Sequence, residues 1–429
     1  MPKTSWFRRC SCSVFALVVI ACAVSPLGGV NAPGQVLPNL VRANERFGRR
    51  LFEKVHKGEP EQNVVVCPVS LTIILAAIES TSWGSQLSKE IGDTLGWGFP
   101  VRLGIPVRML LGAFDEPKRQ PAPSGGGSMA DALPDPIPVR EESWITNTFM
   151  FRSEDLGQKL EPLAQMFVDD SSKYFGMKFV DAGTANPTVN ELRAARPSAG
   201  ALPQVPAGND VWISSDAHLR THWGAYAFYF GRPFTGEFRA ARGDKRQVEM
   251  ITSGMSKYPH AVTDSFEAVV LPCDRAYMVA VLPAPGKDIH ELERDLADYP
   301  ETLDGLLNEE LGEVIIPTFR IGFETDLRTQ LEEMGIKGIS KDLGLMIRPG
   351  SHLTEVEQKV DFVVDKQGIS ASAEPVAGVV YGITRGPSKG PPPKMFKMQI
   401  DRPFVFLVRD NNTNALLFMG AVMDPTQSH

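Results

Sequence analysis

Along residues 40–57, apolar side chains fall at Leu40, Phe47, Leu51 and Val55, with arginines and glutamates between them. That spacing puts one dry stripe on a helix and leaves the opposite face wet. Residues 69–78 (VSLTIILAAI) are apolar nearly all round and come directly after Pro68, which predicts a helix buried inside a large core. Residues 86–95 continue in helical style. Between Phe99 and Arg140 the periodicity is lost in a stretch rich in Pro, Gly and Ser, read as a mobile insertion over residues 100–140. A shorter break at 197–208 reads the same way. In between, Ile145, Asn147, Phe149 and Phe151 alternate with Trp144, Thr146, Thr148 and Met150, which predicts a strand. Residues 159–175 return to helical spacing through Leu160, Leu163, Phe167 and Tyr174. The C-terminal half is mostly short β-like runs at 268–271, 277–282, 313–317, 360–364, 404–408 and 416–420. Helical patterns first and strands later predict an α+β architecture. No internal repeat is present.

Composition narrows the function classes. The chain has 429 residues, enough for two or three ordinary domains or one large one. Its 44 basic against 51 acidic side chains give a net charge of −7, which argues against nucleic-acid binding because that needs a clustered positive field. Five cysteines are too few for a disulfide scaffold. Residues 1–30 carry Lys3, Arg8 and Arg9, then the apolar run Val14–Val24, then Ser25, Pro26, Gly28 and Gly29, the layout of a secretory signal. The run is well short of the ~20 residues that span a bilayer, so removal is expected over retention as an anchor, leaving a secreted, extracellular protein with no membrane segment. Cys10, Cys12 and Cys22 would leave with it. Cys67 and Cys273, each beside a strongly apolar segment, are expected as buried free thiols.

Motifs of reaction chemistry are scarce in the chain. His218 and His222 have the i, i+4 spacing of a zinc helix, but Leu219 stands where a metalloprotease needs its glutamate, and the surroundings look like a strand. No nucleophile elbow, phosphate loop or dinucleotide fingerprint occurs. No enzyme activity, metal or cofactor is expected.

Residues 365–396 are full of Gly, Ala, Ser and Pro, yet run directly between two strong strand patterns. A structureless loop of that length inside a domain is uncommon and usually functional. The segment after it is more specific: MQIDRPFVFLV (398–408), then Arg409-Asp410, Thr413, LFMGAV (417–422) and Asp424-Pro425. This run resembles the C-terminal signature of the serpin family. Asn63-Val64-Val65-Val66-Cys67-Pro68-Val69-Ser70 resembles the family's N-terminal block, with Cys67 in place of the usual serine. Asn147, Phe149 and the segments 267–293 and 326–336 resemble it further. The resemblance spans 38–425 and implies one α+β domain with a large five-stranded central β-sheet, additional sheets, about nine helices and an exposed reactive-centre loop at 365–396. It also implies a suicide inhibitor of a serine protease with no catalytic residue of its own. The protease cuts the loop, and the loop enters the central sheet as an extra strand before the acyl-enzyme is hydrolysed.

The resemblance assigns Gly368, Ile369, Ser370, Ala371, Ser372 and Ala373 to the hinge where insertion begins. Ile369 is bulky for that position, and overpacking costs about 1–3 kcal/mol. Pro375 lacks the N–H that a central strand uses. Lys366 stands where the family has Glu, and Phe230 and Gln358 stand where it has Trp and His that support sheet opening. These departures motivate an alternative, a non-inhibitory member acting as carrier, chaperone or storage protein. The scissile bond is open between Arg385-Gly386, Tyr381-Gly382 and Lys389-Gly390. Arg385 is preferred, which implies a trypsin-like protease, because such a pocket carries a buried carboxylate that pairs with arginine. Asn411-Asn412-Thr413 is the one glycosylation sequon. Arg385, Lys389, Lys394, Lys397 and Arg402 form a basic run that would attract a polyanion such as heparin, although a solvated loop is the commoner outcome. A monomer is expected.

Overall fold

The computed structural model describes residues 33–82, 84–97, 103–115, 144–151, 162–181, 210–224, 232–298, 302–341, 343, 352–370 and 395–427. The signal-like segment and the break at 197–208 lie outside these residues. Helix α1 (Pro33–Gly58) buries Leu40, Phe47, Leu51 and Val55, the dry stripe of the sequence. Strand β1 (Val64–Val66) leads into α2 (Pro68–Thr81), which starts at a proline whose missing N–H costs nothing in the first turn and which is buried along almost its whole length. Helix α3 (Gln86–Leu95) is capped by the Ser85 hydroxyl, which accepts the Ser88 N–H at 3.1 Å.

Next comes α4 (Gly104–Asp115), inside the stretch expected as an insertion. Leu103, Val107, Leu110 and Phe114 are buried at helical spacing, and the surrounding Pro- and Gly-rich sequence masks this stripe. Residues 116–140 lie outside the described residues. Strand β2 (Trp144–Phe151), helix α5 (Pro162–Phe175) and strand β3 (Lys178–Asp181) come next. Strands β4 (Asp210–His218) and β5 (Arg220–His222) are two parts of one run interrupted at Leu219. Then come β6 (Phe234–Arg239), β7 (Lys245–Thr252), β8 (Ser256–Val262), β9 (Phe266–Pro272) and β10 (Ala276–Pro283). Helices α6 (Ile289–Asp298) and α7 (Thr302–Leu306), strands β11 (Asn308–Pro317) and β12 (Phe319–Asp326), and helix α8 (Arg328–Glu333) continue the chain. It ends with β13 (His352–Val364), β14 (Gly368–Ser370), β15 (Phe396–Gln399), β16 (Phe404–Asp410) and β17 (Leu416–Val422). Helices thus occur in both halves, eight among the described residues, and strands are not confined to the second.

The strands form two sheets. The larger runs β1-β17-β16-β10-β9-β8-β11-β7-β6, with β15 also pairing β11. The other runs β3-β2-β4-β13-β14-β5, with β12 also pairing β13. Counting β4 and β5 as one run, the second sheet is five strands wide (β3, β2, β4/β5, β13, β12), and β14 is a short sixth between β5 and β13. Strands β16 and β17 are buried on both faces, which explains their unbroken hydrophobic sequence. The sheets meet through aromatic side chains: Phe362 of β13 stacks on Phe406 of β16 with ring centroids 4.7 Å apart, and Phe319 and Phe418 pack around them.

The two sequence blocks of the resemblance meet in space. Asn63 Oδ1 accepts the N–H groups of Met423 and Asp424 at 2.7 and 3.0 Å, and Asn63 Nδ2 donates to the Asp424 carbonyl at 2.7 Å. Arg409 joins three elements, donating to Glu45 of α1 at 2.7 Å and to Asp304 of α7 at 2.8 Å. Among the described residues, Cys67 and Cys273 are free and buried; burial raises the Cys67 thiol to about 11 and the Cys273 thiol well above its ordinary value. No helix of the described residues is long and apolar enough to cross a membrane.

Candidate functional site: a split sheet with a wedged hinge

Strands β4 and β13 are parallel and directly paired from His352↔Asp210 to Lys359↔Asp216. Above that point they part. Strand β13 turns back through residues 365–367, and β14 lies antiparallel to both neighbours, with Val364↔Ile369 and Val363↔Ser370 on one side and Thr221↔Ile369 and Arg220↔Ser370 on the other. The first hinge residues therefore already occupy a gap between β5 and β13.

Sequence explains the turn. The Asp365 carboxylate accepts the N–H groups of Gln367 and Gly368 at 2.7 and 3.1 Å, and its own N–H donates to the Gly368 carbonyl at 3.1 Å. Trp223, just past β5, closes the other side. Its indole N–H donates to the Asp365 carbonyl at 2.8 Å and its backbone N–H to the Gln367 carbonyl at 3.1 Å. Gly368 is required by proximity: a Cβ there would strike the Thr221 carbonyl oxygen and lie 2.8 Å from His222 Cα. Ile369, expected to resist burial, is 1% exposed and belongs to the main core, so its bulk is accommodated with the loop still joined to the sheet.

Deeper in the sheet, Gln358 of β13 clips the strand to the start of α2. Its Oε1 accepts the Cys67 N–H at 2.8 Å, and its Nε2 donates to the Cys67 carbonyl and the Ser70 hydroxyl, each at 3.0 Å. Its register partner on β4, Ser215, is buried with no hydrogen-bond partner for its hydroxyl among the described residues. Separating β4 from β13 at this level must pass these groups.

The distal end of the loop returns in β15, parallel to β11 from Gly312↔Phe396 to Ile315↔Gln399. The Phe396 ring stacks on His260 with centroids 3.7 Å apart. His260 Nδ1 and Nε2 lie 2.9 and 3.0 Å from Glu310 and Glu267. Burial of His260 opposes its positive form, but the bonds to these two carboxylates prevail and its pKa is raised.

Of the residues expected at the site, Gly368, Ile369 and Ser370 sit at the gap. Ala371, Ser372, Ala373, Pro375, Tyr381, Gly382, Arg385, Gly386 and Lys389 lie outside the described residues, as does Phe230. Trp223 is absent from the residues expected at the site; its signal is a tryptophan directly after the strand that β14 joins. The basic run is partly committed elsewhere: Lys397 lies 3.3 Å from Glu313, and Arg402 donates to the Pro283 carbonyl at 2.7 Å. At the sequon, Asn411 Nδ2, the atom a glycan would occupy, donates to the carbonyls of Cys273 and Asp274 at 2.9 and 3.1 Å. A glycan on Nδ2 leaves that nitrogen one N–H, enough for one of these two bonds. His218 and His222 belong to strand segments, and at about 3.3 Å per residue four residues separate them by about 13 Å, too far to share a metal ion.

Comparison with known proteins agrees with this topology. The chain is 24% identical over 408 residues to rat thyroxine-binding globulin, covering 90% of this chain and 88% of that protein. It is 24% identical over 435 residues to mouse plasminogen activator inhibitor 1, covering 95% and 98%. Native protease nexin-1 solved with heparin superposes with a TM-score of 0.69 at 17% identity, over 91% of this chain and 100% of that one. The family described as Serpin (serine protease inhibitor) matches residues 42–425. With its split central sheet and a returning loop strand on the larger sheet, the chain belongs to the serpin family.

Proposed function

We propose that this protein is a secreted, monomeric, single-use inhibitor of a trypsin-like serine protease, with Arg385-Gly386 as the bait bond. The observation that carries the reading is the wedge of Gly368–Ser370 between β5 and β13. A strand started there needs only to lengthen. Continuing its register places Ala371 opposite Phe362, Ala373 opposite Val360 and Pro375 opposite Gln358. Alternate residues then share the inward face with Ile369, and Ala371, Ala373 and Ala377 are small enough to slip in. The new strand would replace the direct pairing of Asp210–Asp216 with His352–Lys359 and gain ladder bonds on both sides. Cleavage at Arg385-Gly386 separates residues 371–385 from β15, so that they are free to follow Ser370 into the sheet. The protease, still an acyl-enzyme, travels with the strand.

A second reading is favoured by one residue. In the same register Pro375 also lies opposite Ser215, in the plane where the sheet must part. A proline offers no N–H to the neighbouring strand, so insertion stalls midway. The protein would then be cut as a substrate, and its role would be that of a carrier, a property that the name of the thyroxine-binding relatives carries for those proteins.

Incubation with trypsin-like and chymotrypsin-like proteases followed by denaturing gels decides between them. Inhibition gives a denaturant-stable adduct with the protease. Cleavage without adduct supports the carrier. Mass spectrometry of the released C-terminal peptide identifies the bond: a new N-terminus at Gly386 is expected, and one at Gly382 or Gly390 would reassign it.

A further inference from the structure

Far from the split sheet, one cluster of ligand-bearing side chains has no part in loop insertion. His56, in the last turn of α1, faces His290 and Glu293 in the first turn of α6. Glu293 Oε1 lies 2.7 Å from His56 Nδ1, and its Oε2 lies 3.1 Å from His290 Nδ1. One donor atom from each residue falls within 4.8 Å of the other two. His290 and Glu293 are three residues apart and so share one helix face. The His56 side chain is fully buried, that of Glu293 is 3% exposed and that of His290 is 30% exposed, leaving one open side.

The hydrogen bonds around the rings define what the site offers. Pro60, which has only a carbonyl to give, also accepts a hydrogen bond from His290. The Glu293 carboxylate presents one oxygen to the Nδ1 of each ring. His56 Nε2 is buried without a partner among the described residues, so this imidazole is committed only toward Glu293. Two imidazoles and a carboxylate, with a backbone carbonyl bonded to one ring, form the donor set and outer support of zinc sites. Calcium and magnesium, which take oxygen ligands, fit it poorly.

We propose that His56, His290 and Glu293 bind one divalent transition-metal ion of the zinc class, with a water at the exposed fourth position, and that the ion pins the end of α1 to the start of α6. The role assigned is structural: these three side chains form the grouping able to hold one ion, and the neighbouring Asp288 carboxylate accepts the His290 backbone N–H at 3.0 Å. Binding displaces whatever proton His56 or His290 shares with Glu293 and releases it to solvent.

The full chain, first dialysed against a chelator, is titrated with Zn²⁺ by calorimetry. One ion per chain is expected, together with a rise in melting temperature of about 5 °C at saturating zinc. His290→Ala, a change at a partly exposed position, and Glu293→Gln should each weaken binding at least about 100-fold, whereas His222→Gln should leave it unchanged. Cobalt(II) provides a readout that needs no variant, since a tetrahedral site gives intense visible absorption. Absence of binding, or binding undiminished in His290→Ala and Glu293→Gln, would show that the three residues are an ordinary hydrogen-bonded triad and would overturn the proposal. Neither result bears on protease inhibition.

Discussion

Gly368 controls the gap between β5 and β13. The wedge exists because a residue without a side chain lets β14 lie against the Thr221–His222 backbone. Gly368→Ala is expected to expel β14 at a cost of about 1–3 kcal/mol, because the obstacle is backbone and cannot turn aside. Hydrogen exchange should show lost protection at the Ile369 and Ser370 amides together with a lower melting temperature; unchanged protection there would refute the role given to the glycine. Gln358 acts one level deeper: one amide satisfies both backbone groups of Cys67 and the Ser70 hydroxyl, tying β13 to α2. Gly368 is visible in the sequence as a hinge residue, but its contact with β5 is not, because that contact joins segments about 150 residues apart.

Among the elements, β15 holds the far end of the loop. Its pairing with β11 is parallel and short, and Phe396 is covered by His260. The charged groups facing His260 are Glu267 of β9 and Glu310 of β11. Because the folded pKa of His260 is raised, protonation favours the folded contact: the stabilisation is fully present below the unfolded value of about 6.5 and is lost as pH rises through the higher folded value. Residues 396–399 should therefore exchange amide hydrogens faster as pH rises through that window, after correction for intrinsic exchange. His260→Gln should remove the pH dependence. A flat profile in the unmodified protein would contradict the assignment. Element types are legible where periodicity is strong, as in α1, α2, β16 and β17. Helix α4 is not, since its four buried positions are diluted by Pro- and Gly-rich neighbours.

At the scale of the whole molecule, the proposed inhibition requires the central sheet to gain a strand. Pro375 is the residue expected to limit this, and Pro375→Ala restores one ladder N–H. A sheet hydrogen bond contributes about 1 kcal/mol, so the ratio of adduct to cleaved product should rise about fivefold. The cleaved variant should also melt at a higher temperature than the intact one; equal melting temperatures would mean that the strand does not enter. The sequence by itself determined the family, the α+β class, the strongly periodic elements and the two buried thiols, because these depend on local pattern and on an ordered series of short blocks. Only the tertiary structure decided that Ile369 is already buried, that Trp223 and Asp365 brace the hinge, that Asn411 uses its amide on backbone carbonyls, and that His56 meets His290 and Glu293. Each of these depends on contacts between segments distant in the chain, and hydrophobic periodicity reports which face of an element is buried without naming what lies against it.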